Sequence, residues 1–240
     1  MSKDTILTED QIWDYMMCPA HFEMARRKIV PIISQTLTGY INIIVKRFFA
    51  NLMDGVILDL DKLKKDWDII CKQNSDFINQ KKCIAGYSAI TKVYSWAERV
   101  RLRILDIAAP YDILFTIRDN QLVDIKGEIP VLAVNEGNKI EILVMDYGEK
   151  HTSQIRTDMN LRYTLQCFAY KKQTGRDIGI HVRNLRYNED IFSFRTQDDF
   201  KRLNRTISDI SYSINKELFY PREGLGCTFC NVAGACRVWS

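Results

Sequence analysis

Three of the chain's seven cysteines crowd into one short tail segment, Gly226-Cys227-Thr228-Phe229-Cys230-Asn231-Val232-Ala233-Gly234-Ala235-Cys236. The spacing is C-x2-C-x5-C. A two-residue gap lets two thiolates face one metal centre from a tight turn. The small Ala233, Gly234 and Ala235 let the chain bend back to bring in a third. Four thiolates are the usual set for an iron–sulfur cluster or a structural zinc, so a fourth must come from elsewhere. Cys18 is the first choice, because Pro19 beside it ends a helix and frees the side chain. Cys71 and Cys83 flank a polar loop and stay open by spacing. Cys167 lies inside an amphipathic helix and reads as an ordinary buried thiol. Spacing does not choose between iron–sulfur and zinc.

Polar residues also group on a later helix. Gln166 and Tyr170 are four apart on one helix face, with Lys171 and Lys172 just after them. Further basic groups are Arg26-Arg27-Lys28, Lys64-Lys65 and Lys81-Lys82. Acidic residues sit among them, so solvated surface is their default reading, and Lys171-Lys172 has the best claim to phosphate contact. Trp13, Trp67, Trp96 and Trp239 are scattered and read as packing, with Trp239 a candidate cover for the tail cysteines.

The elements that must position these residues follow from periodicity and punctuation. Thr8 and Gln11 have capping-box spacing before a helix that Pro19 interrupts. Ranges 34–52, 58–71 and 84–107 read as helices. Ranges 112–118, 122–134 and 139–147 read as a three-strand meander, split by Asp119-Asn120 and by Asn135-Glu136-Gly137-Asn138. A helix over 157–174 ends at Gly175. Strands at 178–187 and 191–195 follow. Thr196 caps a last helix to about residue 218, and the tail beyond Pro221 reads as loop. This order predicts an α/β protein with a mixed central sheet flanked by helices. It is read as one domain over 1–240, with a helical part to about 108, a sheet core over about 109–220 and a cysteine-rich tail over 221–240.

The composition agrees with an ordinary globular chain: 240 residues, 46% hydrophobic and 27% charged. Collagen-like, disordered and mini-protein classes are excluded. Apolar runs such as 140–145 fall far short of the roughly 20 residues of a membrane span, so no membrane partner is expected. An odd cysteine count behind a polar start points to a reducing, cytoplasmic location. The net charge of +4 permits a nucleic-acid partner without demanding one.

In order along the chain, Tyr15-Met16-Met17-Cys18-Pro19, the two strands, Gln166-Cys167-Phe168-Ala169-Tyr170 and the C-x2-C-x5-C tail resemble the iron–sulfur nucleases of the PD-(D/E)XK superfamily. These are the RecB-like domains of AddB and the CRISPR-associated single-strand exonucleases. The resemblance spans nearly the whole chain. It implies a restriction-endonuclease-like core, with a [4Fe–4S] cluster on Cys18, Cys227, Cys230 and Cys236 clipping the chain ends together; zinc is the runner-up. It also implies that the face carrying Gln166 and Tyr170 borders DNA.

The catalytic motifs depart from that family. There, one or two divalent ions are held by an Asp on one strand and an Asp/Glu-x-Lys on the next, often with an upstream His, so that metal activates water and stabilises the leaving phosphate. Here Lys126-Gly127-Glu128-Ile129-Pro130 puts Pro130 in the Asp position. Asp146-Tyr147-Gly148 keeps the acid and loses the Lys. Thr38-Gly39-Tyr40-Ile41-Asn42-Ile43 has no His. The expectation is a protein that keeps the fold and cluster, has lost hydrolysis, and binds DNA (single-stranded or duplex ends) or serves as a scaffold subunit in a DNA-processing or viral assembly. In the viral case it would sit in the virion or the infected-cell cytoplasm. One alternative is an active exonuclease using Mg²⁺ or Mn²⁺ at a migrated site of Glu128, Asp146 and Lys150. Another is a purely structural protein-binding module.

Overall fold

The computed structural model describes residues 5–28, 36–56, 59–117, 121–135, 137–148, 151–224, 227–228 and 230–239. It opens with a short strand, β1 (Thr5–Thr8), that runs straight into helix α1 (Glu9–Met17). The expected capping box is formed: Gln11 N donates to Thr8 Oγ1 at 3.1 Å, and Thr8 N donates to Gln11 Oε1 at 2.8 Å. Cys18 breaks the helix in an extended conformation, and Pro19 begins α2 (Pro19–Arg26) at a position where its missing N–H costs nothing.

Three longer helices follow: α3 (Leu37–Met53), α4 (Leu60–Gln73) and α5 (Gln80–Arg99). Side chains of Thr36, Asp59 and Asn79 cap their N-termini. The expected helix to residue 107 is corrected, because α5 stops at Arg99 and strand β2 (Arg103–Thr116) begins almost at once. Locally, Arg-Leu-Arg-Ile-Leu suits a helix. Pairing of Ile104 with Ala133 and Ile107 with Val131 wins over that preference.

Strands β3 (Leu122–Val134) and β4 (Ile140–Asp146) complete the meander. The helix expected over 157–174 is two helices, α6 (Gln154–Met159) and α7 (Leu161–Thr174). Asn160 ends the first and caps the second, accepting from Arg162 N at 3.0 Å and Tyr163 N at 3.3 Å. Gly175 closes α7 in the left-handed region at φ 74°, as its position suggested. Strands β5 (Gly179–Asn184) and β6 (Glu189–Ser193) and helix α8 (Gln197–Asn215) follow. The tail expected as loop contains a short helix, α9 (Ala233–Trp239).

The result is a mixed six-stranded sheet. β3 is its spine. β2 lies antiparallel along one side of it. On the other side, β1 pairs parallel with residues 123–126, and β4 pairs antiparallel with 132–134. β5 then runs parallel to β4, and β6 antiparallel to β5 at the edge. β1 was absent from the sequence reading, since four residues carry too little periodicity.

Both sheet faces are buried. Ile113, Phe115, Ile125 and Ile180 pack with Leu165, Leu203 and Ile207 of α7 and α8. Ile104, Val131 and Leu143 pack with Phe49, Trp67, Val93 and Trp96 of the α3–α5 layer. No described helix is long and apolar enough to cross a membrane.

Candidate functional site

The site lies where β4 peels away from β3. The ladder between them ends at Leu132 and Ile142, and Pro130 and Val144 lie just beyond it. Both line a hollow of about 420 Å³, together with Trp13, Asn42, Lys46, Arg162, Tyr163 and Gln166. Neither the proline nor the valine side chain carries an atom that could bind a metal ion. Pro130 sits within a central strand because the β2 ladder is interrupted opposite it. The register skips Ala108, whose φ is 55°, so no ladder hydrogen bond is asked of the proline nitrogen.

A larger hollow of about 840 Å³ adjoins the first and shares Pro130, Lys46, Arg162 and Gln166 with it. A polar cluster invisible to motif reading forms its wall. Tyr111 Oη donates to Glu9 Oε2 at 2.5 Å, and Arg162 Nε is 2.9 Å from Glu9 Oε1. Gln166 Nε2 donates to the same carboxylate at 3.2 and 3.4 Å. Burial pushes the Glu9 carboxyl above its usual range, against the pull of Tyr111, Arg162 and Gln166. Gly127 makes room for the Tyr111 ring, since a Cβ there would collide with it. The signal that could have found the cluster is Glu9 and Asp10 in a first helical turn, where acids favour the helix dipole. Their partners lie over a hundred residues away.

Glu128 is exposed and lines this larger hollow. Asp146 lines a different one of about 380 Å³, with His151, Thr152 and Arg156. The Asp146 carboxylate is already committed: Oδ1 accepts from Gly148 N at 2.7 Å, and Oδ2 accepts from Thr152 Oγ1 at 2.6 Å and Asn184 Nδ2 at 3.3 Å. Glu128 and Asp146 thus line separate hollows. Lys150, the third member of the migrated site considered above, falls outside the described residues.

Gln166 and Tyr170 share a face of α7 as expected, but the face is inside: they are only 4% and 7% exposed. Tyr170 packs in the core, and Gln166 Oε1 is buried with no partner among the described residues. Lys171 pairs with Asp177 at 2.7 Å, and Lys172 lies 5.4 Å from the Phe168 ring centre. Lys46, from α3, reaches both larger hollows.

The chain ends meet at Cys18. Arg222 N donates to Cys18 Sγ at 3.4 Å, Arg222 Nη1 to the Met16 carbonyl at 2.6 Å, and Ala20 N to the Tyr220 carbonyl at 3.2 Å. His21 Nε2 lies 3.2 Å from Asn231 Oδ1. Burial, and the charges of Cys18, Cys230 and Cys227, push the Cys236 thiol up. Among the described residues, no three His, Cys, Asp or Glu side chains are spaced as ligands of one metal ion. Cys167 is buried, and burial pushes its thiol up to about 12. The side chain of Trp239 falls outside the described residues.

No protein-family model matches the chain, and no curated protein matches it. Among solved structures it is similar to a protein of Eubacterium rectale provisionally named an exonuclease. The likeness covers 97% of this chain and 87% of the other, at TM-score 0.56 and 13% identity. The two share a fold. A second crystal structure, SSO0001, matches over 99% of this chain and 88% of its own at TM-score 0.47 and 10% identity, a likeness too loose to carry weight.

Proposed function

We propose that this chain is a catalytically degenerate PD-(D/E)XK nuclease-fold protein of the RecB-like iron–sulfur type that binds DNA without cutting it. The observation that carries this reading is that the hollow at the β3–β4 split is lined by Pro130 from one strand and Val144 from the other, where that family would place acids. Hydrolysis in that family needs carboxylates on two adjacent strands, because Mg²⁺ or Mn²⁺ is held by fixed oxygens. Proline and valine offer none. The commitment of Asp146 to Gly148, Thr152 and Asn184 further disfavours a migrated site.

Lys46 and Arg162, on the shared wall of the two larger hollows, are suited to hold a phosphate backbone there. Arg162 is steadied by Glu9 and Asp10, the latter at 2.6 Å from its Nη2. A scaffold role in a DNA-processing or viral assembly is compatible with the same surface.

Cys18, Cys227, Cys230 and Cys236 would hold a [4Fe–4S] cluster, with zinc the second choice. The contacts of Arg222 with Cys18 Sγ and the Met16 carbonyl, which bring the tail beside the fourth thiol, support that donor set. When bound, the group would supply a covalent clip between the two ends of the chain.

The test uses anaerobically purified protein. Iron and zinc content and the visible spectrum are recorded, then binding and cleavage of single-stranded DNA are measured with Mn²⁺ present. About four irons per chain, with broad absorption near ~400 nm lost in Cys18→Ala, is expected. Salt-sensitive binding without cleavage is expected alongside. Cleavage abolished by Asp146→Ala would overturn the degenerate reading, and absence of DNA binding would favour a protein-binding module.

A further inference from the structure

The helical layer contains a second thiol pair that the cysteine tail does not use. α4 and α5 run antiparallel, and three contacts fix their register. Trp67 Nε1 donates to the Cys83 carbonyl at 2.9 Å, Tyr87 Oη donates to Asp68, and the Trp67 ring lies against Gly86 so closely that no Cβ would fit. In an antiparallel pair, one step forward on one helix is one step back on the other. From Trp67 against Gly86 and Asp68 against Tyr87, one turn forward on α4 and one turn back on α5 brings Cys71 beside the turn that carries Cys83. Burial, and the Cys83 thiol nearby, push the Cys71 thiol up to about 12. Both cysteines are half-buried, and both pack against the same apolar cluster.

We infer that Cys71 and Cys83 form a reversible intramolecular disulfide that staples α4 to α5. A hydroperoxide supplies the oxidising equivalents. The Cys83 thiolate attacks the peroxide oxygen, breaking the O–O bond and leaving Cys83 sulfenic acid and hydroxide, which takes up the proton Cys83 released on ionising and becomes one water. Cys71, whose thiol burial holds protonated, is the resolving thiol. Its sulfur attacks the Cys83 sulfur, the S–S bond forms, and the departing hydroxide takes the Cys71 proton as a second water. In sum, two thiols and one H2O2 give one disulfide and two waters; a dithiol reductant reverses the step.

The consequence reaches the two larger hollows. α3, which carries Lys46 and Asn42 into them, rests on this hairpin through Arg47–Asp66 at 2.9 Å and Tyr40 Oη–Asn74 Oδ1 at 2.8 Å. Oxidation fixes the platform on which α3 is held. The inference does not depend on the DNA-binding reading.

The experiment treats the full chain with hydrogen peroxide, blocks free thiols with iodoacetamide and maps tryptic peptides. The expected product joins Asp66–Lys72 to Cys83–Lys92, disappears on treatment with dithiothreitol, and is absent from Cys83→Ser. Oxidised wild type should melt roughly 5–10 °C above reduced wild type, as for other native disulfides, and Cys83→Ser should show no such gap. Should Cys83→Ser fail to fold, the wild-type peptide map alone decides. Full alkylation of both cysteines after peroxide, or pairing of either one with a tail cysteine, would overturn the inference.

Discussion

Gly148 sits against the carboxylate of Asp146: a Cβ at position 148 would lie 2.9 Å from Asp146 Oδ1. The resemblance puts a lysine at this position, yet here the turn closes on Asp146 itself, with Gly148 N donating to that oxygen. Glycine follows from the turn. Gly148→Lys should therefore destabilise the fold, by about 1–3 kcal/mol, and should confer no cleavage. Urea unfolding monitored by tryptophan fluorescence checks it, and a variant as stable as wild type would show that the turn yields easily.

Placing acids at the strand split should do more. Pro130→Asp combined with Val144→Glu puts two carboxylates side by side in the 420 Å³ hollow, and each replaces a side chain with no donor atom. The double variant should bind Mn²⁺ measurably by calorimetry, where wild type binds none at that place. Equal heats from the two proteins would mean that the two positions do not face one another.

Burial by itself pulls the His181 imidazole down, but carboxylates outweigh it. Its Nδ1 lies 2.6 Å from Glu141 Oε1 and its Nε2 lies 2.7 Å from Asp190 Oδ1, so the group ends raised above 6.5. Arg183 holds the other Asp190 oxygen at 2.6 Å, and Asn135 Nδ2 donates to the other Glu141 oxygen at 3.0 Å. A group raised on folding stabilises fully below its unfolded value, and that stabilisation is lost as pH rises through the folded value. Thermal midpoints should therefore fall as pH climbs from about 6. His181→Gln should flatten that part of the profile. A wild-type midpoint that rises over this window would contradict the charged triad.

DNA affinity should depend on Lys46. It lines both larger hollows, and Lys46→Glu replaces an attraction with a repulsion. Single-strand affinity at low salt should drop by roughly tenfold or more, and the slope of log affinity against log salt should become shallower. Fluorescence anisotropy on a labelled oligonucleotide reads both. An unchanged slope would place the phosphate track elsewhere.

Local chemistry was legible in the sequence and distant pairing was not. The Thr8–Gln11 capping box, the break at Cys18-Pro19 and the Gly175 stop each depend on neighbours within a few residues. β1 and the start of β2 depend on β3, far along the chain, and were missed. Motif counting names Asp146 as the retained acid, and only the fold shows that its carboxylate is held by Gly148, Thr152 and Asn184. Glu9, Tyr111 and Arg162 belong to three separate elements, and only the fold makes them one cluster. Gln166 and Tyr170 were correctly placed on one helix face, but the sequence could not say that the face points inward.

The parallel pairing of β1 with β3 also sets an order of events. Thr5 meets Val123, and a parallel pair cannot close through a short turn. During synthesis the first strand leaves the ribosome well before its partner exists. It must wait through the making of α3, α4, α5 and β2, with its own backbone unpaired. The contact between Ala20 and Tyr220 waits longer still. Such non-local closure is slow and leaves an open strand edge during assembly. The helical layer, built from residues near one another in sequence, is the part expected to be standing first.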